Sequence, residues 1–466
     1  MELQFEEEGL QPVSPTGQYF SSPVLSVSNL GVMETEVPID ESPTMSMLKN
    51  VFLPISPRFS SIMVERRGKK QWKRVEVNLE DHVNIPVFPS GLSPASYDKY
   101  FDDYISKLAV ERLPQHKPLW EIHIIKYPTT TAAGTIIFKL HQALGDGFSM
   151  MGALLSCLQR ADNPSLPLTF PSRRRSQSRN NKNGNFVTKV LSSVSNTISD
   201  FFNSNMEEDD QTPIRSGNDG IEFKPIAVST MTIPLDRLKL IKNRLGVTIN
   251  DVLAAMIFLG TRLYMPDINK SSSEARGTAV VLLNTRMMGN YTSVQEMTKP
   301  NSKLPWGNHI SLLQVPIPKL LTNGEEQIDN ALDFVWKAHN IIRSKRHSWG
   351  IHLTAGFLEI LNKFGGHESA ARYIRNSLKK SSMIISNLIG PVEQMSVANH
   401  PVQGFYFLVF GSPEGLDVTI VSYMEKVRIA FKMEKGLIDP PKFKSFMEKS
   451  FDMILKASEK NVVEKN

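Results

Sequence analysis

The stretch Thr135-Ile136-Ile137-Phe138-Lys139-Leu140-His141-Gln142-Ala143-Leu144-Gly145-Asp146-Gly147 decides how this chain is read. Residues 135–141 form a short, mostly apolar run, rich in β-branched and aromatic side chains, and predict a buried strand. The run ends in a histidine. Asp146-Gly147 follows after a short gap, and a helix is expected to begin just past Gly147. A histidine at the mouth of a strand suits proton transfer near neutral pH. A base of this kind could take the proton of a hydroxyl as that hydroxyl attacks an ester or thioester. Asp146 could fix the loop through an ion pair. Gly147 could let the backbone turn and approach a substrate closely. The same residues would also serve a purely structural turn, and spacing alone does not choose between the two.

Working outward, residues 120–127 predict a second strand, joined to the first by the turn-like stretch 128–134. Tyr97, Phe101, Tyr104, Ile105 and Leu108 recur at helical spacing and predict a helix over 97–113. Val75, Val77 and Leu79 alternate with polar residues, which predicts a half-buried strand. Residues 1–170 therefore form one α/β unit.

Composition changes in 171–230. Arg173, Arg174, Arg175, Arg179 and Lys182 lie in a stretch without acids. Phe186, Val190, Val194, Ile198 and Phe202 then repeat every fourth residue, an amphipathic pattern. The segment is read as a linker crossing between units, and 172–205 as a candidate membrane-surface anchor.

Residues 231–466 resume the α/β pattern. A helix over 235–245 should stop at Gly246. Asn250 stands where a second helix would start, as an N-cap or as part of a site. Residues 279–283, 310–315, 405–410, 417–423 and 427–431 predict strands, the last three forming one closing sheet. Pro440-Pro441 introduces a final helix.

The chain has 466 residues, 41% hydrophobic and 21% charged, enough for two globular cores. The net charge of +6 is mild for this length and fits an anionic surface or a phosphorylated substrate without requiring either. No nucleic-acid motif is present. Cys157 is the single cysteine, which excludes an intrachain disulfide and favours a reducing compartment. It lies in an apolar helical run and reads as a small buried hydrophobe. The acidic start, Met-Glu-Leu-Gln-Phe-Glu-Glu-Glu, lacks the apolar core of a signal peptide. The histidines show no metal-ligand spacing, so no metal and no bound cofactor are expected.

Residues 141–147 resemble the His-His-x-x-x-Asp-Gly motif of the wax ester synthase/diacylglycerol acyltransferases, in particular their plant branch. Further elements match in the family's order: Pro118-Leu119-Trp120, Asn250-Asp251, Leu283-Asn284-Thr285-Arg286, Trp306-Gly307-Asn308 and Ser386-Asn387-Leu388-Ile389-Gly390-Pro391. The resemblance implies two chloramphenicol-acetyltransferase-like α/β domains with a tunnel between them. It implies transfer of a fatty acyl group from acyl-CoA, as co-substrate, to a long-chain alcohol or to diacylglycerol. It also implies work at the cytosolic face of the endoplasmic reticulum, peripheral or monotopic, or at the plasma membrane. By the same analogy Asp146 should face away from substrate and pair with an arginine, with Arg286 the candidate. Asn387 could donate to the oxyanion, and Gly147 and Asn250 could contact substrate.

The chain departs from the motif at its second histidine, the family's usual base, where Gln142 stands. A glutamine amide accepts no proton at useful pH. His141 remains, but neighbours on a strand face opposite ways. Three readings stay open: His141 acts as base through a shifted backbone, Gln142 only orients the hydroxyl, or the chain is a lipid-binding relative without catalysis. The first predicts that His141→Ala abolishes acyl transfer while Gln142→Ala does not. A related acyltransferase group with more polar acceptors carries an Asp-Phe-Gly-Trp-Gly element, which this chain lacks.

Overall fold

A computed structural model describes residues 11–66, 68–171, 207–284, 286, 294–299, 302, 305–320, 329–346 and 350–463. The basic and amphipathic segment 172–205 lies outside the described residues. The strands in chain order are β1 (Gln11–Pro12), β2 (Ser28–Thr35), β3 (Ser61–Arg66), β4 (Lys69–Arg74), β5 (Val83–Asn84), β6 (Trp120–Ile125), β7 (Gly134–His141) and β8 (Leu158–Arg160). They continue with β9 (Ile226–Pro234), β10 (Thr278–Asn284), β11 (Ile310–Pro316), β12 (Met383–Ile389), β13 (Met395–Val397), β14 (His400–Phe410), β15 (Leu416–Tyr423) and β16 (Lys426–Glu434). The main helices are α1 (Pro94–Val110), α2 (Gly147–Cys157), α3 (Leu235–Leu245), α4 (Ile249–Ile268), α5 (Asp329–Arg346), α6 (Gly350–Lys379) and α7 (Pro440–Val463).

Two large sheets result. The first runs β5-β6-β7-β2-β14-β13-β8 and the second β11-β10-β12-β15-β16-β9, with a small sheet β1-β4-β3 beside the first. Strand β7 sits between β6 and β2, antiparallel to both, and every one of its residues is buried. That explains its unbroken apolar run: a strand covered on both faces has no polar side to alternate with. Lys139 is the exception within it. Its Nζ donates to the Glu111 carbonyl at 2.8 Å, and burial holds its pKa below the usual lysine range.

Helix α4 anchors the second core. Thr248 and Asp251 form a reciprocal capping box at its start, and fourteen of its twenty residues are buried. This corrects the expectation for Asn250. Thr248 is the cap because its hydroxyl reaches the Asp251 amide, while Asn250 lies inside the first turn. Helices α5 and α7 both pack on α4. Among the described residues no single helix is long and apolar enough to cross a membrane; α3 and α4, bent by 100°, meet the composition test only as a pair.

Two strand expectations change. Residues 75–79 do alternate in burial, but no strand pairs with them, and the ladder strand is the preceding β4. Apolar alternation marks a surface against the core, and here Val77 and Leu79 pack on it without a paired strand. The run 405–410 joins β14, which pairs with β2 in the first sheet rather than with β15 and β16. The C-terminal half thus lends β13 and β14 to the N-terminal sheet, and the chain crosses between the two halves in both directions. A strand buried on both faces fits either sheet by composition, so only assembly assigns it.

Candidate active site

A cavity of about 690 Å³ opens between the sheets. Its lining draws on β2 (Asn29, Gly31), the turn after β7 (Gln142), β10 (Leu282), β14 (Phe405, Phe407) and helices α4 and α5. The volume is that of a small-molecule site, and most of the wall is apolar.

The turn after β7 sets the site. His141 closes the strand and faces away from the cavity, whose lining does not include it. It is 1% exposed. Its Nδ1 accepts the Ala143 amide at 3.1 Å, which places the proton on Nε2, facing Ser26 Oγ at 3.2 Å. Burial, aided by the charges of Lys70, Arg112 and Lys139, pushes its pKa down to about 3. This corrects the expectation that His141 serves as base. Its acceptor lone pair caps a turn, and its ring is buried away from the cavity.

Because the histidine is held neutral, its effect on stability has a sign. The unfolded chain protonates this imidazole near pH 6.5, whereas the folded chain does so only near pH 3. The unfolded state therefore binds more protons between those values, and stability falls as pH falls through that window. Acidification from pH 7 to pH 5 is expected to remove about 2 kcal/mol through this group. Urea unfolding at the two pH values checks this; His141→Gln should lack that share of the dependence.

Gln142 is the residue that meets the cavity. Its Oε1 accepts from Asn29 Nδ2 at 2.6 Å and its Nε2 donates to Asn308 Oδ1 at 2.9 Å. Asn308 Nδ2 returns a bond to the Gln142 carbonyl at 2.9 Å. The three amides form a neutral chain in which Asn29 donates and Gln142 and Asn308 each both donate and accept. Sequence reading missed Asn29, although a lone amide in the apolar run of β2 was a usable signal.

Asp146 caps α2 through the Ser149 amide at 3.0 Å. Its carboxylate receives both ends of the Arg286 guanidinium, at 2.6 and 3.0 Å, and the His309 amide at 2.8 Å. Arg286 also donates to the Pro305 and Gly307 carbonyls and to Ser149 Oγ, with its Cζ 4.9 Å from the Phe148 ring centroid. Gly307 adopts φ 134°, a value that a side chain rarely tolerates. Its carbonyl there accepts from Asp146, Ser149 and Arg286 together.

Gly147 does not turn the chain. It is the first residue of α2, without a positive φ, and a Cβ there would approach Leu388 Cδ2 at 3.1 Å. Asn387 lies next to Leu388 and donates from Nδ2 to Asn250 Oδ1 at 2.8 Å. Both amides line the cavity. That bond leaves Asn250 Nδ2 as the freer donor of the two. Trp120 is core, with Nε1 on the Phe59 carbonyl, and Trp306 Nε1 holds the Leu144 carbonyl. Cys157 is buried, which pushes its thiol pKa up. On α5, His339 and Arg343 also line the cavity, and neither carried a motif to announce it.

Residues 53–253 match the wax ester synthase/diacylglycerol acyltransferase catalytic domain, and residues 306–455 match the WS/DGAT C-terminal domain. Arabidopsis thaliana wax ester synthase/diacylglycerol acyltransferase 2 is 28% identical over 93% of this chain and 92% of its own length. The Arabidopsis thaliana protein numbered 5 in that series is 30% identical over 93% of this chain and 91% of its own. Among solved structures, the fold is similar to the wax ester synthase/diacylglycerol acyltransferase from Marinobacter aquaeolei VT8, with TM-score 0.59 and 15% identity. That likeness covers 96% of this chain and all of the other. The trichothecene 15-O-acetyltransferase from Fusarium sporotrichioides has a similar fold, with TM-score 0.54, 10% identity, and 96% and 92% of the two chains covered.

Proposed function

Because this chain belongs to the wax ester synthase/diacylglycerol acyltransferase family, we propose that it transfers a fatty acyl group from acyl-CoA to a long-chain alcohol, with diacylglycerol as a second acceptor. The observation that carries this reading is the cavity itself, 690 Å³ and walled by Phe20, Leu30, Met151, Phe405 and Phe407. Each methylene sheltered from water there is worth about 0.8 kcal/mol, so long chains are the ligands such a wall favours. The polar groups on that wall include three uncharged amides, Gln142, Asn250 and Asn387. Amides can orient a hydroxyl and donate to the oxyanion that forms when it attacks a thioester. Asn250 Nδ2 is the donor this geometry leaves available, and Asn387 holds it in place.

Arg286 and Asp146 act on this chemistry from a distance. They join the α2 cap to the end of β10 and so fix the two walls relative to each other. Positioning of this kind can supply much of a rate enhancement by itself. The low water solubility of the acceptor supports work at a membrane surface, for which the cytosolic face of the endoplasmic reticulum is the proposed address.

The test is expression in a yeast strain that lacks neutral-lipid synthesis, fed fatty alcohol. Wax ester is the expected product, with triacylglycerol as the minor one. The Gln142 substitution and the sealed His141 favour a second reading, a lipid-binding relative without catalysis, and absence of both products would support that one instead.

A further inference from the structure

The site lacks a proton acceptor at the two positions where the motif would supply one: His141 is sealed and Gln142 is an amide. The rest of the cavity wall offers another. His339 on α5 lines the same cavity, and its Nδ1 lies 2.9 Å from Asp251 Oδ2 on α4. The side chain of His339 is 17% exposed and that of Asp251 7% exposed. Asp251 is itself fixed, because the same Oδ2 accepts the Thr248 amide and hydroxyl, each at 2.8 Å. The carboxylate therefore sets the tautomer of His339. The proton sits on Nδ1, and Nε2 keeps its lone pair, with no hydrogen bond among the described residues. A histidine held in this way by a buried carboxylate is an acceptor with its orientation already settled.

The other ionisable groups on the wall do not compete. Asp146 is saturated by Arg286 and two backbone amides. Arg286 and Arg343 are permanent cations. Among the described residues that line the cavity, His339 is the one imidazole. A continuous set of contacts joins it to the strand-end turn: Gly147 lies against Leu388, its neighbour Asn387 bonds Asn250, and Asp251, next in sequence, bonds His339.

We propose that His339, oriented by Asp251, is the proton acceptor for acyl transfer in this chain. The proposal rests on the acyltransferase reading above. The acceptor hydroxyl oxygen bonds to the thioester carbonyl carbon, and its proton passes to His339 Nε2. The tetrahedral adduct then collapses with cleavage of the carbon–sulfur bond. CoA leaves as the thiolate with the bonding pair and takes the proton from the imidazolium. Asp251 keeps its charge throughout and stabilises the imidazolium.

The experiment measures wax ester formation from palmitoyl-CoA and cetyl alcohol by the purified full-length chain, its His339→Gly and His339→Gln variants, and Asp251→Asn. Loss of a general base is expected to lower kcat by roughly 10²- to 10⁴-fold, with KM for palmitoyl-CoA within a few-fold of wild type. Free imidazole should restore part of the turnover of His339→Gly, which a merely structural histidine would not allow. His339→Gln can still bond Asp251, so its melting temperature should match wild type while its kcat falls. Asp251→Asn should lower kcat less than either. Wild-type turnover in His339→Gln, or a loss in a folded His339→Gly that imidazole leaves untouched, overturns the assignment. A wild type that forms no ester with any acceptor overturns the acyltransferase reading itself, and this one with it.

Discussion

Replacing Arg286 by alanine is expected to destabilise the protein by about 3–5 kcal/mol and to abolish acyl transfer, because it strands a buried carboxylate. The side chains of Arg286 and Asp146 are each only 1% exposed, and their closest approach is 2.6 Å. Removing the guanidinium leaves Asp146 with only the backbone amides of Ser149 and His309. It also leaves the Pro305 and Gly307 carbonyls without this donor. The damage is not local. Asp146 caps α2 in the N-terminal half, Arg286 follows β10 in the C-terminal half, and 305–307 forms the segment between them. Arg286→Lys keeps the charge but not the fork that meets six acceptor atoms, so an intermediate loss is expected. Urea unfolding of the three proteins measures this. A change below 1 kcal/mol for Arg286→Ala would show that the pair does not couple the two halves.

In a His339→Gly background, where the proposed base is missing, Gln142→His is expected to raise turnover with a fatty alcohol by about tenfold or more. General-base catalysis supplies about 10²- to 10⁴-fold, and position 142 is the one at the strand end that meets the cavity. A neutral imidazole has one donor and one acceptor nitrogen, enough to replace both amide bonds of Gln142. Asn29 would then compete for the acceptor lone pair, as it now binds Gln142 Oε1 at 2.6 Å. The gain should therefore lie at the low end for Gln142→His and grow when Asn29→Ala is added in the same background. Single-turnover measurement at saturating acyl-CoA checks both. Equal turnover in His339→Gly with and without these changes would mean that a base at this position cannot take the proton.

His141→Ala now carries a different expectation from the one its sequence position suggested. The ring caps the Ala143 amide and contacts Ser26, so its loss weakens the turn rather than removing a base. Gln142, which stands where the motif has its second histidine, is the residue the backbone turns toward the cavity.

Several elements were legible because they are local. The strand–turn–helix around residues 135–147, the Gly246 stop of α3 and the helix after Pro440 follow from apolar periodicity and cap chemistry within a few residues. The strand read over 75–79 failed because burial alternates there without a paired strand, and a ladder needs two strands. The assignment of 405–410 to a closing sheet failed for a related reason. Composition records that a strand is buried, not which neighbour buries it.

At the site the same division holds. The sequence alone determined the α/β class and set Asp146 in the turn between strand and helix; resemblance to the family added its pairing with Arg286 and the missing second histidine, and the structure added its role as the cap of α2. Tertiary structure alone decided which of His141 and Gln142 faces the cavity. At a strand's last residue the two-residue alternation gives way to turn geometry, and hydrogen bonds to Ser26, Asn29, Ala143 and Asn308 set the orientation. It alone brought His339 to Asp251, because two helices far apart in sequence had first to pack on one core. The identity of the strand-end residues was local information. Their access to substrate depended on contacts across 100 residues or more, and no short-range pattern encodes those.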